Sequence, residues 1–123
     1  MIELNDSNYE KLISEESLKI PTVFFFYSKW CTHCRNLEKK LALIDLAKDK
    51  PCEFNIYSIK AENSLKILQK FQIRVYPSLL FLKNGKVISF FEGDKSQETL
   101  VTAFKDLCKG EGFFQKFINK LKK

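Results

Sequence analysis

Cys31 and Cys34, in the run Cys31-Thr32-His33-Cys34, are the residues of this chain best placed by type and spacing to do chemistry. Two thiols so close can share a metal ion, close a structural disulfide, or exchange electrons with another thiol–disulfide pair. A structural zinc site takes four ligands, usually as two close pairs. Cys52 and Cys108 are each isolated, and His33 cannot easily join both its neighbours in one tetrahedron. Disulfide-stapled secreted scaffolds are richer in Cys, Gly and Pro than a chain of 123 residues with 4, 4 and 3 of them. Redox exchange is therefore the expected chemistry, with a metal site and an inert disulfide as its competitors. Cys52 and Cys108 are expected to be ordinary buried or half-buried thiols.

The elements around the pair decide what it can do. Thr22–Ser28 is an almost unbroken run of β-branched and aromatic residues, the pattern of a central strand covered on both faces. From Cys31 to about Lys48 the apolar period becomes helical, through Leu37, Leu41 and Ile44. The cysteines thus fall where a strand hands over to a helix N-terminus. Free backbone N–H groups and the helix dipole stabilise an anion there, which makes Cys31 the expected nucleophile. Cys34, one turn further in, is the expected resolving thiol. His33 can offer positive charge or a hydrogen-bond donor to the thiolate, and stabilising the reduced form makes the pair a stronger oxidant.

The rest of the chain supplies a frame. Ile2–Leu4 reads as a short strand. Asp6 or Ser7 can cap a first helix carrying Tyr9, Leu12 and Ile13. Glu53–Ile59 alternates as a strand. Asn63 or Ser64 can cap a helix carrying Leu65, Leu68 and Phe71. Ser78–Gly93 predicts a hairpin turning at Asn84-Gly85, and Ser96 opens a helix with Leu100, Phe104 and Leu107. The order β-α-β-α-β-α-β-β-α predicts a mixed sheet with helices on both faces. A hydrophobic fraction of 45% with 12 Phe supports a packed globule.

With "WCTHC" and "FQIRVYPSLLFLKNGKV" both placed, the chain resembles the thioredoxin fold over about residues 2 to 108. It is most similar to the catalytic domains of the protein disulfide isomerase branch, whose motif is W-C-G-H-C. The resemblance implies a three-layer α/β fold, with a mixed sheet of about five strands and four helices. It implies a thiol–disulfide oxidoreductase acting on protein thiols and disulfides, with a reductase or glutathione as electron partner. It implies a cis Pro77 lying against the active-site pair, a substrate platform of Tyr76 and Pro77, and a shielding, orienting role for Trp30. The competing reading is a non-catalytic adaptor that binds peptides in the Tyr76-Pro77 groove. Three positions depart from the family pattern. A buried acid is usual six residues before the first cysteine, where Phe25 stands. The lysine that accompanies it is Ser58, and the threonine after the proline is Ser78.

We expect residues 1–109 to form the thioredoxin-like domain and 110–123 a basic amphipathic extension. In that extension Phe113, Phe114, Phe117, Ile118 and Leu121 make one stripe and Lys116, Lys120, Lys122 and Lys123 the remainder. An extra C-terminal helix folded back on the domain is expected, with membrane-surface contact as the alternative. No cofactor or metal is expected, and the chain is expected to be a monomer. The net charge of +6 comes from lysines interleaved with acids, without the glycine-rich loop or Arg/aromatic cluster of a nucleic-acid binder. No signal peptide is visible in "MIELNDSNYEKLI", which points to the cytoplasm; removal of one would point to the periplasm or the endoplasmic reticulum lumen.

Overall fold

Phe24, Phe25 and Phe26 are all fully buried, so the strand that carries them must be covered on both sides. The computed structural model describes residues 1–110. Its elements are β1 (Ile2–Leu4), α1 (Tyr9–Leu12), β2 (Thr22–Tyr27), α2 (Thr32–Leu46), β3 (Asn55–Lys60), α3 (Leu65–Phe71), β4 (Ser78–Lys83), β5 (Lys86–Glu92) and α4 (Gln97–Lys109). Short 3₁₀ turns cover Ser17–Lys19 and Ala61–Asn63. The expected extra helix over 110–123 falls, from residue 111 onward, outside the described residues.

The five strands form one sheet in the order β1-β3-β2-β4-β5. β3 runs parallel to both β1 and β2, whereas β4 is antiparallel to β2 and β5. The sheet is mixed because the α1 and α2 connections return the chain in the same direction, whereas the α3 connection and the final hairpin reverse it. Asn84 and Gly85 both take positive φ, at 52° and 77°, as a two-residue turn requires.

Alternation along the strands divides the core into two. On one face Val23, Phe25, Leu79 and Phe81 meet Leu37, Leu41 and Ile44 of α2 and Leu100, Phe104 and Leu107 of α4. On the other, Phe24, Phe26, Leu80 and Leu82 meet Tyr9 and Ile13 and, from α3, Ile67 and Leu68. Each fully buried Phe or Leu contributes roughly 1.5–3 kcal/mol relative to exposure. Two such layers cover the sheet on both faces.

Local capping differs from the sequence expectation. Asn8, not Asp6 or Ser7, sits at the N-cap of α1. Asp6 instead reaches across to α3, where its two carboxylate oxygens accept from Lys66 N–H (3.0 Å) and Ile67 N–H (3.2 Å). Ser64 does occupy the α3 N-cap position, but its hydroxyl makes no capping bond. A carboxylate at a helix start also meets the positive dipole end, so Asp6 serves better than a hydroxyl. Leu65, expected on the buried stripe of α3, is 65% exposed, and Ile67 takes its place.

Candidate active site

The strand-to-helix turn is where the sequence places it. β2 ends at Tyr27, and α2 begins at Thr32 with Cys31 as its N-cap. Cys31 has extended backbone (φ −105°, ψ 105°), and its Sγ accepts a hydrogen bond from the Cys34 N–H at 3.1 Å. A sulfur in the N-cap role occupies the place where Ser or Asp oxygens usually satisfy the first free N–H groups. Cys31 and Cys34 are joined as a disulfide, their Cα atoms 5.2 Å apart. Cys31 is partly exposed whereas Cys34 is only 2% exposed. One thiol of the pair can be attacked from outside and the other cannot. Among the described residues, no three His, Cys, Asp or Glu groups converge as metal ligands would.

Each sequence-predicted neighbour has a definite place. His33 lies exposed on the first turn of α2, between the two cysteines. Trp30 is 82% exposed, with the Lys29 ammonium 5.2 Å from its ring. The Tyr76-Pro77 peptide bond is cis. Pro77 is buried, and its carbonyl accepts from Gly93 N–H at 2.8 Å, which ties the start of β4 to the end of β5. Ser78 Oγ donates to the Val75 carbonyl at 2.6 Å and fixes the corner before the strand. Tyr76 is half-buried and packs against the same core cluster as Cys31. Ser78, which follows the Tyr76-Pro77 corner, is registered with Phe26 near the end of β2, so the corner and the turn leave the sheet at the same end.

Phe25 lies on the α2 side of the sheet, in the same buried cluster as Cys34. Its ring stacks on Tyr27, with centroids 5.5 Å apart. Ser58 is its register partner on β3 and Leu79 its partner on β4. The two positions where the family pattern has an acid and a lysine are therefore adjacent, and here neither carries charge. Behind Cys34 the core is apolar.

Charge gathers instead at the rim, from residues the sequence reading did not single out. Glu62, in the turn after β3, accepts from the Lys29 N–H with both carboxylate oxygens (3.0 and 3.3 Å). Tyr27, at the end of β2, has its phenol pushed above the ordinary range, first by burial and then by the charges of Glu3, Glu38 and Glu62. Burial and then Glu62 push the Tyr76 phenol the same way. The signal for Glu38 was present in the sequence, four residues after Cys34 and so on the same side of the helix. Glu62 carried none, because a loop crossing brings it there.

Cys52 and Cys108, expected to be separate thiols, are a second disulfide. Their Cα atoms are 5.7 Å apart across 56 residues of sequence. Cys52 stands before β3 and Cys108 in the last turn of α4, away from the start of α2. Packing of α4 against the α2 face brings the two together, and no local pattern announces it.

The comparisons with known proteins agree with this geometry. The Thioredoxin family model matches residues 1–106. A thioredoxin domain-containing protein of Theileria parva is 32% identical over 102 residues, covering 81% of this chain and 46% of that protein. Protein disulfide-isomerase A4 of Homo sapiens is 27% identical over 105 residues, covering 85% of this chain and 16% of that protein. The chain therefore spans less than half the length of these curated relatives. Among solved structures, a thioredoxin of Malassezia sympodialis superposes with a TM-score of 0.69 at 17% identity, covering 85% of this chain and 91% of that one; at such identity the likeness is one of fold.

Proposed function

The chain belongs to the thioredoxin family, and from that premise we propose that it is a thiol–disulfide oxidoreductase acting on protein clients through Cys31 and Cys34. The observation that carries this reading is the Cys31 sulfur at the α2 N-cap, hydrogen-bonded by the Cys34 N–H and bonded to a buried partner thiol. With the pair reduced, Cys31 thiolate attacks a client disulfide. A Cys31–client disulfide forms as the client bond breaks, and the leaving client sulfur takes up a proton. Cys34 then attacks the Cys31 sulfur, re-forming the internal bond and releasing the second client sulfur. The client gains two electrons and the pair loses them. Run backwards, the same steps donate a disulfide to client thiols.

Around this pair the Tyr76-Pro77 corner and exposed Trp30 serve as the client platform, with His33 tuning the pair. Electrons come from or go to a protein dithiol or glutathione, and the chain is proposed to work as a monomer. We further place its work in an oxidising compartment, because bonds such as Cys52–Cys108 persist where the poise is oxidising.

Insulin reduction with dithiothreitol, run beside a Cys31→Ser variant, tests the reading. Turnover in the parent and none above background in the variant is expected. Equal rates would favour the adaptor instead. The direction is tested by titration against glutathione. A His33→Ala protein should have a reduction potential more negative by about 30 mV, the equivalent of losing roughly 1.4 kcal/mol of thiolate stabilisation. An unchanged potential would remove His33 from the mechanism.

A further inference from the structure

Resolution of the mixed disulfide requires the Cys34 thiol to lose a proton, yet Cys34 is almost completely buried. A thiol shielded from water ionises poorly unless its proton has a way out. Toward the core there is none, since Phe25, Leu37 and Leu79 are apolar and fully buried. Toward the surface there is one. Cys34 lines a groove of about 340 Å³ with Tyr27, Lys29, Arg35, Glu38 and Lys39. That is room for several waters, each needing only about 30 Å³, with charged side chains around it to bind them.

The groove's titratable groups are not equivalent. Lys29, Arg35 and Lys39 present donor groups only, with no acceptor oxygen. The Tyr27 phenol is held protonated by burial and by the nearby acids, Glu38 among them, so it can donate but not accept. Glu62 faces the turn from the segment after β3, but both its oxygens are engaged by the Lys29 N–H. His33 is exposed and lies outside the groove lining. Glu38 is exposed, sits one helical turn beyond Cys34, and forms no ion pair among the described residues. Residues four apart on a helix have Cβ atoms about 5–6 Å apart, a gap that one water can bridge.

We infer that Glu38 takes the Cys34 proton, through groove water, as Cys34 attacks the mixed disulfide. This rests on the proposed oxidoreductase reading and adds the base that its second step requires. The Cys34 S–H proton passes through water to the Glu38 carboxylate. The Cys34 sulfur bonds to Cys31, the Cys31–client bond breaks, and the client sulfur leaves as a thiolate that solvent protonates. Glu38 then returns its proton to bulk water.

The inference has a sign that simple electrostatics does not share. A carboxylate acting only as a fixed charge opposes the Cys34 thiolate, and removing it would speed resolution. A carboxylate acting as a base helps, and removing it slows resolution. The reduced protein is mixed with 2,2′-dipyridyl disulfide in a stopped-flow instrument. The first thiopyridone release reports Cys31 attack, and the second reports resolution by Cys34. For Glu38→Gln we expect the first phase unchanged and the second slowed about tenfold at pH 7, the low end of what a general base supplies because solvent partly substitutes. The slowed phase should lose its neutral-pH plateau, rise with pH, and be restored by added imidazole or acetate. Glu38→Asp should recover most of the rate with the parent's thermal unfolding midpoint. A second phase that is equal or faster in Glu38→Gln overturns the inference and leaves the oxidoreductase reading standing. Absence of the first phase in the parent protein overturns both.

Discussion

A Cys34→Ser protein should accumulate as a one-to-one mixed disulfide with its client, with turnover expected to fall by at least about 10³-fold. The magnitude follows from replacing an intramolecular thiol by an external one. Well-oriented groups on one framework react with effective molarities many orders above the millimolar level of any added thiol. Here the framework is the first turn of α2, which holds the Cα atoms of the pair 5.2 Å apart. Serine keeps the side-chain shape but cannot attack, so the cycle halts with the client attached to Cys31. Intact mass spectrometry after mixing with an oxidised client reads the adduct directly, and peptide mapping locates it. Parent-like turnover by the variant, or an adduct on Cys52 or Cys108, would contradict the assignment of roles.

The second large effect concerns stability. Removing the Cys52–Cys108 bond by substituting both cysteines with serine should lower the unfolding free energy by about 4 kcal/mol, the chain-entropy value for a loop of this length. In a domain of this size that is roughly 15 °C in the thermal midpoint. Turnover at a temperature where the variant remains folded should change little, because neither cysteine lies at the start of α2. A loss below about 1 kcal/mol would mean that the cross-link does not restrict the unfolded chain. The two disulfides also differ in how easily they open. Cys31 stands at the positive end of α2, where a thiolate is stabilised, and Cys108 at the negative end of α4, where it is not. A stabilised thiolate favours the reduced form at equilibrium, so graded glutathione should open Cys31–Cys34 before Cys52–Cys108.

What the sequence could and could not convey follows from the range of each signal. The active pair, its strand-to-helix turn and the Asn84-Gly85 hairpin are local, and each was legible from adjacent residues. The all-apolar run Phe24–Phe26 announced a buried strand but could not say which ring faces which layer, because alternation is invisible when every position is hydrophobic. Register resolves it by setting Phe25 beside Ser58 and on the Cys34 side. Asp6 looked like the cap of the helix that follows it, yet it caps α3, some 60 residues along the chain. The Cys52–Cys108 pair was hidden for the same reason, as were the charges that Glu62 brings to the rim. Each of these depends on how helices and loops pack around the sheet.

The exposed ring of Trp30 has a practical corollary. It is the only tryptophan in the chain and stands immediately before Cys31, 82% open to solvent. With no second indole to dilute the signal, any change in tryptophan emission originates at this one place. Opening of the pair, and the arrival and departure of a client under the proposed mechanism, should each be readable optically on the unlabelled protein.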